Sequence, residues 1–299
     1  MILLVGATGD LGGRVARLLR ESGQDVRCLV RRTTDDSPLR AIGAEVARGD
    51  LTEPATLPPA CEGVQTVVAT ATAISRRLAG TSSATIRDVD EVGMGHLIDA
   101  AEAAGVQRFV YLSFPIGSAS LRTPLEQAKL AIERRLAGSP MRAVVVRSDG
   151  LQEVQLSRAA RFDLAAGKAA VIGKGDNRRR LVSTGDIAAL LAAVALEPDP
   201  PLQIDVGGPE PLSKKEIIAL AGELAHHPMK VQRMPRPVAR VATLMLRRRN
   251  DAMASALGAG LSSDIEVATW DDTPLRRRGI DPKSVSDFLK EQAQALSGR

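Results

Sequence analysis

Met1-Ile2-Leu3-Leu4-Val5-Gly6-Ala7-Thr8-Gly9-Asp10-Leu11-Gly12-Gly13 opens the chain, and the reading of this stretch decides the fold. Apolar residues run straight into a glycine turn, and a helical pattern with Val15, Leu18 and Leu19 on its apolar face follows at once. Strand, tight loop and helix are therefore expected in that order. Gly6 lets the chain turn sharply. Gly9 removes a Cβ where a pyrophosphate would approach the backbone, and a positive φ is expected there. Gly12 lets the helix pack close to the strand. Thr8, Asp10 and Leu11 complete the loop and the first helical turn, whose free N–H groups and positive dipole end would face phosphates. The same residues could also make a glycine-rich strand-to-helix turn with no ligand. Their place between a strand and a helix favours the dinucleotide reading.

The second strand, expected from Asp25 to Val30, ends in Arg31-Arg32. An NAD site places a carboxylate near this point to hold the ribose 2′-hydroxyl, whereas a guanidinium pairs with a 2′-phosphate. Asp35 and Asp36 come too late to serve as the ribose acid, so NADP(H) is the expected cofactor. The spacing Gly6-x-x-Gly9-x-x-Gly12 resembles the short-chain dehydrogenase/reductase superfamily, in its extended and atypical branches.

Composition narrows the class. A chain of 299 residues can bury a large core, and with 44% hydrophobic but only 2% aromatic residues that core is aliphatic. Alternating strand and helix patterns with such a core suit a parallel sheet covered on both faces. The net charge of +5 comes from interspersed charges with few aromatics for base stacking, which favours an anionic small molecule over nucleic acid. Cys28 and Cys61 read as buried free thiols of a reducing compartment. The adjacent His226 and His227 have no third ligand nearby, so no metal is expected. A strand starting at residue 2 leaves no room for a signal peptide, and Ile187–Leu196 is too short an apolar helix to span a bilayer. A cytoplasmic protein with no membrane partner is the expectation.

Along the chain, strands are expected at Glu45–Arg48, Val64–Ala69, Arg108–Ser113, Arg142–Arg147 and Leu202–Val206. One long amphipathic helix is expected from Asp90 to Gly105. In the resembled superfamily a Gly-Asp turn after the third strand caps the adenine pocket, so the resemblance implies that place for Asp50 and Leu51; capping of that turn is an equal role for Asp50. Ala69 and Thr70, small residues at the end of the fourth strand, leave room for the nicotinamide ribose. Segment 148–180 leaves the repeating pattern. Ser213-Lys214-Lys215-Glu216 is a capping box, and Arg247-Arg248-Arg249 a solvated helix end. The fold expected is a doubly wound parallel Rossmann sheet over residues 1–206, with 148–180 as a substrate-side excursion. A smaller α/β lobe is expected over 207–299.

The run "AAEAAGVQRFVYLS" (residues 100–113) resembles the same superfamily. Its conventional members carry a Tyr and a Lys four residues apart on a helix, the Tyr as acid and the Lys on the nicotinamide ribose. Here Lys129 is kept but Leu125 stands where that Tyr would be, and the one Tyr, Tyr111, lies in a strand. With "KLAIERRLAGSPMRAVVVRSDG" after it, the chain is similar to the atypical NmrA-like group, departing at Ser148-Asp149 where a Pro usually follows the Arg. The resemblance implies an NADPH-dependent reductase of a small apolar carbonyl, quinone or enone, with Lys129 on the nicotinamide ribose and, together with Ser113, at the reacting oxygen. The alternative is a non-catalytic NADP(H)-binding sensor with a protein partner, a kind the same group contains. A sugar-nucleotide epimerase would need the Tyr. On the residues alone, a solvated helix lysine beside Glu126 and Glu133 is the alternative for Lys129, and its position favours the functional reading.

Overall fold

The computed structural model describes residues 1–297. Seven strands form the main sheet: β1 (Ile2–Val5), β2 (Val26–Val30), β3 (Glu45–Arg48), β4 (Thr66–Ala69), β5 (Arg108–Ser113), β6 (Arg142–Ser148) and β7 (Gln203–Val206). Their order is β7-β6-β5-β4-β1-β2-β3. The pairings of β3 with β2, β2 with β1, β1 with β4, β4 with β5 and β5 with β6 are all parallel. The chain thus runs outward from β1 to β3, then crosses back to β4 beside β1. The reversal leaves a crevice between the carboxyl ends of β1 and β4, where ligands of such sheets bind.

The central strands β1 (ILLV) and β4 (TVVA) read as near-continuous apolar runs because helices cover both faces. β1 is buried at every position. Phe109 and Tyr111 on β5 join Leu97, Ile98, Ile132 and Leu136 in one hydrophobic core. The helix Asp10–Glu21 buries Gly12, Val15, Ala16 and Leu19, the face its period calls for. The expected helix from Asp90 to Gly105 instead begins at Arg87 as a π-helical turn to Gly93 and becomes α-helical over Met94–Ala103. A short helix at Ile74–Leu78 lies between β4 and that turn.

The chain divides into two compact units. The first holds Met1–Ser113, Pro124–Arg147 and Ile187–Ile204; the second takes Phe114–Thr123, Ser148–Asp186 and the residues from Asp205 on. Within the second unit, segment 148–180 is structured. Lys168–Ile172 pairs parallel with Lys230–Met234 and antiparallel with Phe162–Asp163. Phe162, Val171, Ile217, Val285, Phe288 and Leu289 make a separate core. The helix Lys214–Leu224 starts on the expected capping box, with Ser213 Oγ accepting from the Glu216 N–H and the Glu216 carboxylate accepting from the Ser213 N–H. A 15-residue helix, Asp251–Ile265, had no counterpart in the sequence reading. Its Ala-, Gly- and Ser-rich sequence lacks an apolar stripe because it packs through small side chains.

Candidate functional site

Gly6 leaves β1 at φ +102°, and a Cβ there would stand 2.7 Å from both the Ala71 nitrogen and the Thr70 Oγ1. Conformation and space both demand glycine. Gly12 is demanded by space alone, because its Cβ would fall onto the Gly6 carbonyl. Gly9 differs from the expectation. Its φ is −85°, so no positive φ is required there. Its Cβ would meet only the Gly6 oxygen, at 3.5 Å, and otherwise open space. Gly9 is the N-cap of Asp10–Glu21 and no side chain caps the helix. The N–H groups of the first turn are left to water or to an anion. Thr8 and Asp10 are exposed at the same end, and Asp10 is held by Arg14 at 2.9 Å. Leu11 lies half-buried beside them.

The neighbouring strand ends converge here. Thr70 donates its Oγ1 and its N–H to the Val5 carbonyl, closing β4 against β1, and Ala69 is fully within the core. β2 ends at Val30, so Arg31 and Arg32 follow directly. Neither guanidinium has an ion pair among the described residues. The buried Asp36, further along the same loop, is occupied by Arg48 at 2.6 Å and Arg40 at 3.1 Å. Asp50 is engaged as a turn cap, accepting from the Thr52 N–H and Oγ1. Leu51 is buried and, with Thr52, Val92 and His96, forms one wall of a cavity of about 400 Å³.

The end of β5 gathers buried polar groups. Ser113 is buried and its Oγ has no partner among the described residues. Lys129 is also buried, which excludes the solvated-lysine alternative; Glu133 is taken by Arg147. The Lys129 Nζ donates to the Leu112 carbonyl at 2.9 Å and lies 4.6 Å from the centre of the Tyr111 ring. Burial pulls this ammonium below the usual lysine range, against the opposing pull of Asp90 and Glu133. Burial likewise lifts the Tyr111 phenol well above its usual range, helped by the same two carboxylates. Asp90 is buried on the π-helical turn, where its Oδ2 accepts from the Ala73 N–H at 2.9 Å.

Sequence reasoning passed over three of these groups: Tyr111, Asp90 and His96. Alternation along β5 puts Phe109, Tyr111 and Ser113 on one face, which was the available signal for Tyr111. His96 keeps a buried Nδ1 without a partner among the described residues. Asp149, a possible second acid at the departure from the family pattern, is saturated within the second unit. It accepts from Gly150, Arg179, the Arg180 N–H and the Trp270 Nε1.

Residues 6–198 match the family model described as NAD(P)H-binding. Two curated relatives align along nearly the whole of both chains. An NAD(P)H azoreductase of Xenophilus azovorans is 29% identical, covering 99% of this chain and 99% of its own. The photosystem II assembly factor Ycf39 of Synechocystis is 28% identical, covering 100% and 91%. The NADPH-dependent quinone oxidoreductase QOR2 of Escherichia coli, in complex with NADPH, superposes with a TM-score of 0.74 at 22% identity, over 99% of this chain and 100% of that one. At that identity the likeness speaks for the fold. No helix among the described residues is long and apolar enough to cross a membrane.

Proposed function

The chain belongs to the NAD(P)H-binding family, and from that premise we propose that it is an NADPH-dependent reductase of small apolar carbonyls, quinones or enones. The observation that carries this reading is the end of β5, where the buried, unpartnered Ser113 hydroxyl directly follows the carbonyl that Lys129 holds. An orphaned buried hydroxyl is costly unless a ligand completes it. The cofactor, when bound, supplies the hydride. Gly9 and the uncapped helix start receive its pyrophosphate, and Arg31 with Arg32 receives the 2′-phosphate. Ala69 and Thr70 leave space for the ribose on the nicotinamide side, and Asp50 with Leu51 shapes the adenine end. Ser113 donates a hydrogen bond to the oxygen on which negative charge develops. Lys129 adds a desolvated positive charge behind it, which counts for more there than in water. The first unit is the cofactor-binding domain. The full-length similarity to the azoreductase supports a reductase.

A second reading keeps the cofactor site and drops turnover. It is favoured by Leu125 in place of the acid Tyr and by the similarity to an assembly factor. In that case the bound nucleotide reports redox state to a protein partner. Single-turnover oxidation of NADPH by the purified protein, across a panel of quinones, enones, azo dyes and carbonyls, decides between them. A saturable rate with any of these supports the reductase. Tight NADPH binding with no oxidation across the panel overturns it in favour of the sensor.

A further inference from the structure

The helix Arg236–Leu246, in the second unit, is built inside out. Its buried face is small: Ala239 and Thr243, one turn apart, are fully buried, and Thr243 Oγ1 donates to the Ala239 carbonyl. Its bulky residues face water. Val238 is 52% exposed, Val241 56%, Leu244 48% and Met245 70%. Their spacing of three, four and seven residues sets them on one stripe. A surface helix ordinarily turns such a stripe inward, and a contiguous exposed apolar stripe marks a surface that meets something.

The surrounding charge says what it meets. Between Ala225 and Asn250 there is no Asp or Glu, while Lys230, Arg233, Arg236, Arg240 and Arg247-Arg248-Arg249 all fall there. Arg236 is held inward by Asp264, and Arg247 donates to the Arg122 carbonyl. Arg240, Arg248 and Arg249 are exposed and have no carboxylate partner among the described residues. Helical period places Arg240 on one flank of the stripe and the other two beyond its C-terminal end. The arginine run expected as a solvated helix end therefore borders an apolar surface. A second copy of this chain docked on the stripe would bring these cations against their own like. A layer of anionic headgroups over acyl chains complements both the charge and the stripe, with the arginine stems reaching up to phosphate while the apolar residues enter.

We propose that Arg236–Leu246 is an interfacial helix that binds the protein reversibly to an anionic lipid bilayer. Val238, Val241, Leu244 and Met245 insert at the headgroup–acyl boundary, and Arg240, Arg248 and Arg249 contact lipid phosphates. It does not span the bilayer: with 11 residues it lies along the surface. The inference is independent of whether the enzyme turns over.

Co-sedimentation with vesicles tests it. The full chain is expected to pellet with phosphatidylcholine vesicles containing phosphatidylglycerol, to stay in solution with pure phosphatidylcholine, and to be released by added salt. The triple variant R240Q/R248Q/R249Q should lose roughly fivefold in partitioning for each arginine removed. The variant V241Q/L244Q/M245Q should lose at least as much in total. Both sets of side chains are exposed, so thermal midpoints should match the wild type. The proposal is overturned if the wild type ignores anionic vesicles, if it binds neutral and anionic vesicles equally, or if the arginine variant pellets like the wild type. It is also overturned if sedimentation velocity shows a dimer that V241Q/L244Q/M245Q converts to monomer without any vesicle binding, since the stripe then serves a second copy.

Discussion

Gly6 and Gly9 stand three residues apart and should fail in different ways. Gly6→Ala places a Cβ against Ala71 and Thr70 at a φ that L-residues avoid. The backbone conformation alone should cost roughly 1–3 kcal/mol of stability, seen as a lowered thermal midpoint. Gly9→Val fits its extended φ of −85°, and its Cβ meets only the Gly6 oxygen, at an ordinary contact distance of 3.5 Å, so the fold should persist while the nucleotide is excluded. Circular dichroism with NADPH titration checks both, and a Gly9→Val protein that binds like wild type would place the nucleotide elsewhere. Arg31→Ala should weaken NADPH by about 1.5–3 kcal/mol, the scale of a hydrogen bond to a charged group, and leave NADH unchanged. Equal losses for both cofactors would count against the 2′-phosphate role. Lys129→Met puts an apolar chain of similar length and helix propensity into a buried site, so folding should survive. If Lys129 supplies charge to the reacting oxygen, kcat should fall by about a hundredfold or more while NADPH affinity changes little. An unchanged single-turnover rate would leave Ser113 without its helper and remove the lysine from the mechanism.

At the scale of elements, what was legible followed from local rules. The helix starting at Lys214 could be read because Ser213 and Glu216 satisfy each other's backbone within one turn. Ser213→Ala should destabilise the protein by about 1 kcal/mol, measured by denaturant titration. The Ser213 N–H, followed by Arg178, holds the Glu216 carboxylate down at about 2 from an ordinary 4.5. A carboxylate depressed in the fold stabilises fully above its unfolded value, and that contribution disappears as pH falls from 4.5 towards 2. Glu216→Gln should flatten this part of the stability–pH curve, and an unaltered curve would show that the box is broken in solution. The helix Asp251–Ile265 was illegible because its buried positions are Ala, Ser and Gly, which carry no hydrophobic period. The π-helical turn at Arg87–Gly93 was illegible for another reason. It packs so closely on Leu51 that a Cβ on Gly93 would stand 2.8 Å from the Leu51 Cβ, and its Asp90 reaches the Ala73 N–H; neither contact is local.

Across the whole molecule, Cys28 and Cys61 are the chain's only thiols and both lie in the first unit. Burial pushes Cys28 up to about 12 and Cys61 to about 11, so neither forms a thiolate in the native state at neutral pH. Labelling by a thiol reagent should therefore report opening of the cofactor-binding unit alone. NADPH at a hundredfold excess over its Kd should slow labelling about a hundredfold, matching about 2.7 kcal/mol of added stability. Immediate labelling of the native protein would contradict the buried core around both thiols. The sequence by itself determined the doubly wound sheet, the glycine turn and the capping box, because each depends on periodicity or on residues within a turn of one another. It also placed Ser113 at the end of the fifth strand and Lys129 on the helix that follows. Only the tertiary structure decided what those two face. The buried ammonium over Tyr111, the saturated Asp149 and the outward apolar stripe of Arg236–Leu246 each depend on elements far apart in the chain. Burial and charge pairing are properties of packing, and the one-dimensional pattern does not carry them.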